Sequence, residues 1–247
     1  MTHKTKGIVL RTVKYGETSV VATIYTQKFG TQTYMVNGVR SGTKKNGAQA
    51  MMQPSSLLDM EVYHSELKGM QRIKEFSRSE IFMQLTGNVI RNSIALFVVE
   101  MMLKTLQQPE QNEDLFHFCE DCLVFLDKCE MTHTAAFPLF FLLQLPQFLG
   151  FSIHNPDPSL KPDQPLYLDL KEGLFVSHQP AHDYFLDQML THHTIELLKV
   201  IHPSALTEIK LDHNERRKLL QAYLQYYSLH ISDFGTMKTV KVLQEVL

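Results

Sequence analysis

Residues 6–26, KGIVLRTVKYGETSVVATIYT, decide the fold. Lys6 to Val13 is rich in β-branched residues and ends at Tyr15-Gly16-Glu17. Ser19 to Thr26 is a second run of the same kind, closed by Lys28-Phe29-Gly30. Such side chains are stiff at χ1 and pack well on a pleated surface, and a glycine-containing break between two such runs marks a hairpin. Thr31 to Val36 (TQTYMV) reads as a third strand, closed by Asn37-Gly38. Leu57 to Tyr63 and Met70 to Phe76 read as a fourth and fifth, with a turn at Gly69. Five short strands at regular spacing predict a small closed barrel, because closure removes the exposed edges of an open sheet. The longest gap, Val39 to Ser56, carries Arg40, Lys44 and Lys45 among Gly42, Asn46 and Gly47, so its first half reads as a flexible basic loop.

From about Gln84 the period changes. Leu85, Val89, Ile90, Ile94, Phe97, Val98, Met101, Met102 and Leu106 recur at helical spacing, and Pro109 stops that helix. Further helices are predicted at about 110–129, 134–149, 214–228 and 237–247, with Pro138 and Pro146 shortening or kinking the 134–149 one. Pro156, Pro158, Pro162 and Pro165 mark a loop, and Tyr167 to Leu170 and Gly173 to Val176 read as two short strands after it. A helical region resumes at about Ala181 and is interrupted at His202-Pro203. The class is α+β. The expected domains are a β-barrel over 1–83 and a helical domain over 84–247, with an inserted loop and short-strand segment at about 151–180.

Charge divides the chain in the same place. The net charge of −2 comes from 24 basic and 26 acidic residues. Residues 1–50 hold eight of the basic residues and one acid, Glu17, which leaves +7 there and −9 on the remainder. A basic unit on an acidic body is the electrostatic footprint of a polyanion-binding domain joined to something else. No run of about 18 apolar residues is present to suggest a membrane span. The opening Met1-Thr2-His3-Lys4-Thr5-Lys6 lacks the apolar core of a secretion signal. Three cysteines do not make a disulfide framework and fit a reducing, cytoplasmic setting.

Little in the chain suggests bond chemistry. Cys119, Cys122 and Cys129 sit in an apolar helical run with Leu115, Phe118, Leu123, Phe125 and Leu126, and free cysteine behaves there as a small buried hydrophobe. His178 and His182 have the spacing of a ligand pair, but Pro180 lies between them. Asp121 and Asp127 read as the solvated face of an amphipathic helix. No nucleophile elbow, phosphate-binding loop or dinucleotide fingerprint occurs. The expectation is no enzyme, no catalytic residues, no metal and no cofactor. Among the aromatics of the β-unit, Tyr15 and Tyr34 are the candidates for stacking on a base.

Gly7-Ile8-Val9-Leu10-Arg11, Tyr15-Gly16-Glu17-Thr18-Ser19, Thr26-Gln27-Lys28-Phe29-Gly30 and Asn37-Gly38-Val39-Arg40, in this order and spacing, resemble the opening of RecO recombination-mediator proteins. Phe148-Leu149-Gly150-Phe151 and the last helix, Lys238 to Leu243, are similar too. The resemblance implies an N-terminal five-stranded OB-fold barrel and an α-helical C-terminal domain. It implies binding of single- and double-stranded DNA, annealing of complementary strands, and work with RecR and the single-strand-binding protein SSB to place RecA on coated strands. A cytoplasmic, nucleoid-associated location follows. Many members carry a four-cysteine zinc site, whereas residues 151–182 hold no cysteine here, so no bound zinc is expected.

Annealing must overcome the repulsion between two polyanions. The residues expected to contact phosphates are Lys6, Arg11, Lys14, Arg40, Lys44 and Lys45, with Arg72 and Lys74 as second choices. The acidic C-terminal tail of SSB would seek a basic spot beside an apolar groove on the helices; Arg216-Arg217-Lys218 and Lys238/Lys241 are such spots. An RNA-binding barrel module and a non-catalytic interaction adaptor are the alternative readings.

Overall fold

The computed structural model describes residues 1–39, 46–158 and 164–246. They form two compact units, Met1–Lys128 and Cys129–Leu247. In the first, β1 (Thr2–Tyr15), β2 (Ser19–Thr26), β3 (Gly30–Val36), β4 (Leu57–Tyr63) and β5 (Gln71–Arg78) close a barrel in the order β1-β2-β3-β5-β4. Every pair is antiparallel except β3 and β5. This is the OB-fold arrangement expected. β1 is longer than expected: its first half pairs with β4 and its second half with β2. A bulge between Val9 and Arg11 bends it from one partner to the other. The second half of the expected 39–56 loop carries a short helix, α1 (Asn46–Met51); Arg40, Lys44 and Lys45 lie outside the described residues.

Alternation along the strands fills the barrel. Val20, Ala22 and Ile24 of β2, Tyr34 and Val36 of β3, and Leu58, Met60 and Val62 of β4 point inward. A Cβ on Gly7 would lie 2.5 Å from the Met60 methyl carbon and 2.6 Å from Ile24, so that position stays bare. Tyr25 is buried outside the barrel, where its ring lies 5.9 Å from Phe116 and its hydroxyl donates to the Asn112 carbonyl at 3.2 Å.

The other helices of this unit are α2 (Gln84–Gly87), α3 (Val89–Thr105) and α4 (Glu113–Lys128), and α3 packs on β1. The single helix expected from Gln84 is broken at Asn88, whose extended backbone and side-chain bond from Arg91 N begin α3 anew. α4 starts at Glu113, after Asn112, whose side chain accepts from Leu115 N at 2.9 Å. Asp127 is not on a solvated face. It is buried, and its carboxylate accepts from the backbone nitrogens of Met83, Gln84 and Leu85.

Gly30 closes the β2–β3 turn with φ +60°, and an added Cβ would meet the Glu110 carbonyl oxygen at 2.3 Å. Gly30→Ala is therefore expected to destabilise by at least about 1–2 kcal/mol from the left-handed backbone alone, before the overlap is counted. Thermal denaturation of the two proteins side by side checks this; equal melting temperatures would contradict it.

The second unit is built on α5 (Phe137–Gln144), a helix with Phe137 to Leu143 all buried. Its partners are α6 (Gln188–Leu198) and α7 (His213–His230), and α8 (Thr239–Val246) ends the described chain. α5 is shorter than the expected 134–149 helix. Pro138 lies in its first turn, where the missing N–H costs nothing, and Pro146 starts a separate 3₁₀ turn. The two expected short strands are β6 (Tyr167–Asp169) and β7 (Leu174–Val176). A third, β8 (Phe185–Leu186), pairs with β6 where helix was expected. α6 begins only after Asp187, whose side chain accepts from Leu190 N. α7 opens with a reciprocal Asp212–Glu215 capping box.

Candidate nucleic-acid interface

The strand registers define what the barrel shows to the outside. Val13 pairs with Val21, Val21 with Met35, Met35 with Arg72 and Arg72 with Tyr63. These positions face away from the core, because Ala22, Tyr34 and Val62 next to them face in. At about 4.8 Å per strand, the row runs roughly 19 Å around the barrel. A second outward row, Arg11–Thr23–Thr33, lies two residues away on the same strands. Tyr15 stands at the next outward position of β1 and is 56% exposed.

A groove of about 750 Å³ opens on this face, lined by Met35, Tyr63, Lys68, Met70 and Arg72 among others, with no carboxylate among the described residues of its walls. Its rim is the β4–β5 loop, held by one buried side chain. Gln71 accepts from Ser65 N at 3.0 Å and donates to the Ser65 and Lys68 carbonyls at 2.8 and 2.7 Å. That bonding turns the backbone of the loop inward and leaves the Lys68 side chain on the outside.

The cations expected to touch phosphate fall into three groups. Arg11, Lys14 and Arg72 are exposed and have no ion-pair partner among the described residues. Arg11 and Arg72 belong to the outward rows, and Lys14 projects beyond the barrel's end, opposite Val20. Lys6 and Lys74 are committed elsewhere, to Glu120 at 2.8 Å and Glu61 at 2.9 Å. The Glu120 hydrogen bond raises the Lys6 pKa, and Glu61 does the same for Lys74. The Thr2 and Lys74 hydrogen bonds hold the Glu61 carboxyl down to about 2. The hollow beside them is lined by Lys4, Lys6 and Lys28 but also by Asp59, Glu61 and Glu75, so its charges offset. Arg40, Lys44 and Lys45, the third group, lie outside the described residues.

Tyr34 requires a correction. It is fully buried in the barrel core, in register with Ala22, and offers no face to a base. The outward residue beside it is Met35. Tyr63, which is not among the residues expected to stack, is 48% exposed and opposite Arg72. Val36 carries the signal that separates the two: an inward Val36 puts Tyr34 on the same side and Met35 on the other.

In the second unit, in the place of the family's zinc module, His182 and Asp169 bond to neighbouring protein groups. His182 Nδ1 accepts from Tyr184 N at 3.2 Å, which leaves Nε2 protonated to donate to Asp169 Oδ2 at 3.2 Å. Asp169 Oδ1 in turn accepts from Lys171 N and Glu172 N. His178 is exposed. Among the described residues no group of three or more histidine, cysteine, aspartate or glutamate side chains is placed to hold a metal ion. The donor set does not fit a tetrahedral zinc site. Cys119 and Cys122 are buried in the first unit, and burial pushes both thiols up, whereas Cys129 is only half-buried.

Comparison with known proteins agrees with this architecture. The family model described as "Recombination protein O N terminal" matches residues 1–82, and "Recombination protein O C terminal" matches residues 87–238. Proteins named DNA repair protein RecO align over their full length. That of Azobacteroides pseudotrichonymphae is 29% identical over 100% of this chain and 99% of its own. Those of Flavobacterium psychrophilum and Christiangramia forsetii are each 31% identical, with 98% of both chains covered. Among the described residues no helix is long and apolar enough to cross a membrane. From the barrel topology and these full-length matches, the chain belongs to the RecO family of DNA repair proteins.

Proposed function

We propose that this protein is a non-catalytic recombination mediator. It binds single- and double-stranded DNA through the barrel, residues 1–83, anneals complementary strands, and works with RecR to load RecA onto SSB-coated DNA at the nucleoid. The observation that carries the DNA part is the groove beside Arg11 and Arg72, which has no carboxylate among its described lining residues, whereas Lys4, Lys6, Lys28 and Lys74 of the same barrel are paired or set among carboxylates. Phosphate binding needs cations free to release counterions, not cations already neutralised. We therefore place Arg11, Lys14, Arg72 and the adjacent Lys68 first, keep Arg40, Lys44 and Lys45 as a second set in sequence reach, and rank Lys6 and Lys74 last.

The acidic tail of SSB is proposed to dock on the second unit. Pro138 and Leu139 of α5, Leu220 of α7 and Leu243 of α8 line a shallow groove with Arg216 and Arg217 in its wall. An apolar floor beside cations matches a short segment that ends in acidic residues. Fluorescence annealing of complementary strands tests both parts. The wild type should accelerate annealing with and without SSB. Arg217→Glu should anneal bare strands like the wild type but give no acceleration on SSB-coated strands. A wild type without annealing activity contradicts the function, and a variant unimpaired on coated strands contradicts the dock.

A further inference from the structure

Two grooves meet at the β4–β5 loop. The groove of about 750 Å³ lies on one side of it, and a second of about 530 Å³, lined by Lys28, Phe29, Gln32, Leu67 and Lys68 among others, lies on the other. His64, Ser65, Lys68 and Gln71 line both, so the loop is the ridge between them. Leu67 stands on that ridge and is 97% exposed. The ridge is braced from beneath. Lys68 N donates to the Ser65 carbonyl at 3.1 Å, and the buried Gln71 side chain adds its three bonds to Ser65 and Lys68. Scattered exposed leucines need no explanation, but a leucine raised on a braced turn between two cation-bearing grooves has the form of a wedge.

Resting on the duplex-binding part of the proposed function, we infer that this loop kinks double-stranded DNA by inserting Leu67 between two base pairs. Apolar side chains of this size enter base steps from the minor groove and part the stack, bending the duplex toward the major groove. Lys68 and Arg72 lie on one flank to take the backbone of one strand, and Lys28 lies on the other flank to take the second. Glu66 shares the Lys28 wall, where Lys28 and Lys68 outnumber it. Bending brings phosphates down onto both flanks, contacts that a straight duplex resting on the tip does not make. Burial of a leucine that water otherwise surrounds offsets part of the unstacking cost. The bracing matters because a loop that yields would fold aside instead of parting the stack. A parted step is where base pairs open most readily, so the wedge gives a strand-pairing protein a point of entry into a duplex.

The test uses a short G·C-rich duplex with one central TA step, the kind of step that kinks most easily. It is labelled at both ends for energy transfer and carries 2-aminopurine at that step. At saturation the wild type should bend it by on the order of 20–90°, seen as a rise in energy transfer, and should brighten the 2-aminopurine as that base unstacks. Leu67→Ser should bind the duplex within about threefold of the wild type yet leave it straight and stacked. Leu67→Met keeps an apolar tip and should bend the duplex like the wild type. A wild type that binds but leaves the duplex straight overturns the wedge while the DNA-binding reading stands. So does a Leu67→Ser protein that bends the duplex as the wild type does, or one that has lost duplex binding altogether. Failure of the wild type to bind the duplex overturns that reading and the wedge with it.

Discussion

Replacing Asp127 with alanine should lower the stability of the protein by about 3–5 kcal/mol. The residue is 7% exposed, and its carboxylate accepts three backbone N–H groups at the start of α2, from Met83 at 3.3 Å, Gln84 at 2.7 Å and Leu85 at 2.8 Å. The first N–H groups of a helix have no partner within it, and Leu85 is itself buried. Hydrogen bonds to a charged group contribute about 1.5–3 kcal/mol each, and an orphaned buried donor costs about 1–3 kcal/mol. The same turn of α4 is held from the other side, where the buried Arg91 guanidinium donates to the Leu126 and Asp127 carbonyls at 2.7 and 2.9 Å. For a chain of this size the loss corresponds to a melting temperature roughly 6–20 °C lower. Asp127→Asn keeps an acceptor without the charge and should fall between the two. A shift for Asp127→Ala of under about 1 kcal/mol in urea denaturation would contradict this role.

Asp127 also shows what the sequence does not carry. Glu120 and Asp127 are seven residues apart, on one stripe of α4, and both are buried. A helical pattern reveals that stripe but not the backbone donors that wait for an acid on it, because those donors come from residues 83–85, over forty positions away. Strand identity is legible in β1 and β2, where β-branched runs meet glycine turns. Facing is harder in β3, since TQTYMV presents a large side chain to either side at Tyr34 and Met35. The register across to Ala22 and Gln71 settles it. β8 is two residues long and pairs only through β6, so no local period announces it. The charge split and the opening motifs were legible and point to the family that full-length comparison shows. Which lysines are already neutralised was not: Lys6 meets Glu120 from 114 residues away.

That neutralisation underlies the second large effect. DNA contacts are proposed to come from Arg11 and Arg72 on the outer face of β1, β2, β3 and β5, and from Lys14 at the adjoining end of the barrel. Each phosphate contact contributes about 0.7 to the salt slope on a single strand and about 0.9 on a duplex. Removing three of them should flatten the slope by about 2 and 2.7 respectively, and weaken binding on the order of a hundredfold at low salt, with little dependence on sequence. Any contacts from Arg40, Lys44 and Lys45 would remain and set the residual affinity. Lys6 and Lys74 lie on the same barrel but hold their charge against carboxylates, so removing both should change the slope far less.

The most direct test is therefore the slope of log binding constant against log salt for a labelled single strand. It is measured for the wild type, for Arg11→Ala/Lys14→Ala/Arg72→Ala, and for Lys6→Ala/Lys74→Ala. The slope should flatten by about 2 in the triple variant and stay nearly unchanged in the double variant. A triple variant with the wild-type slope, alongside a double variant that has lost it, would place the phosphate contacts on Lys6 and Lys74 instead.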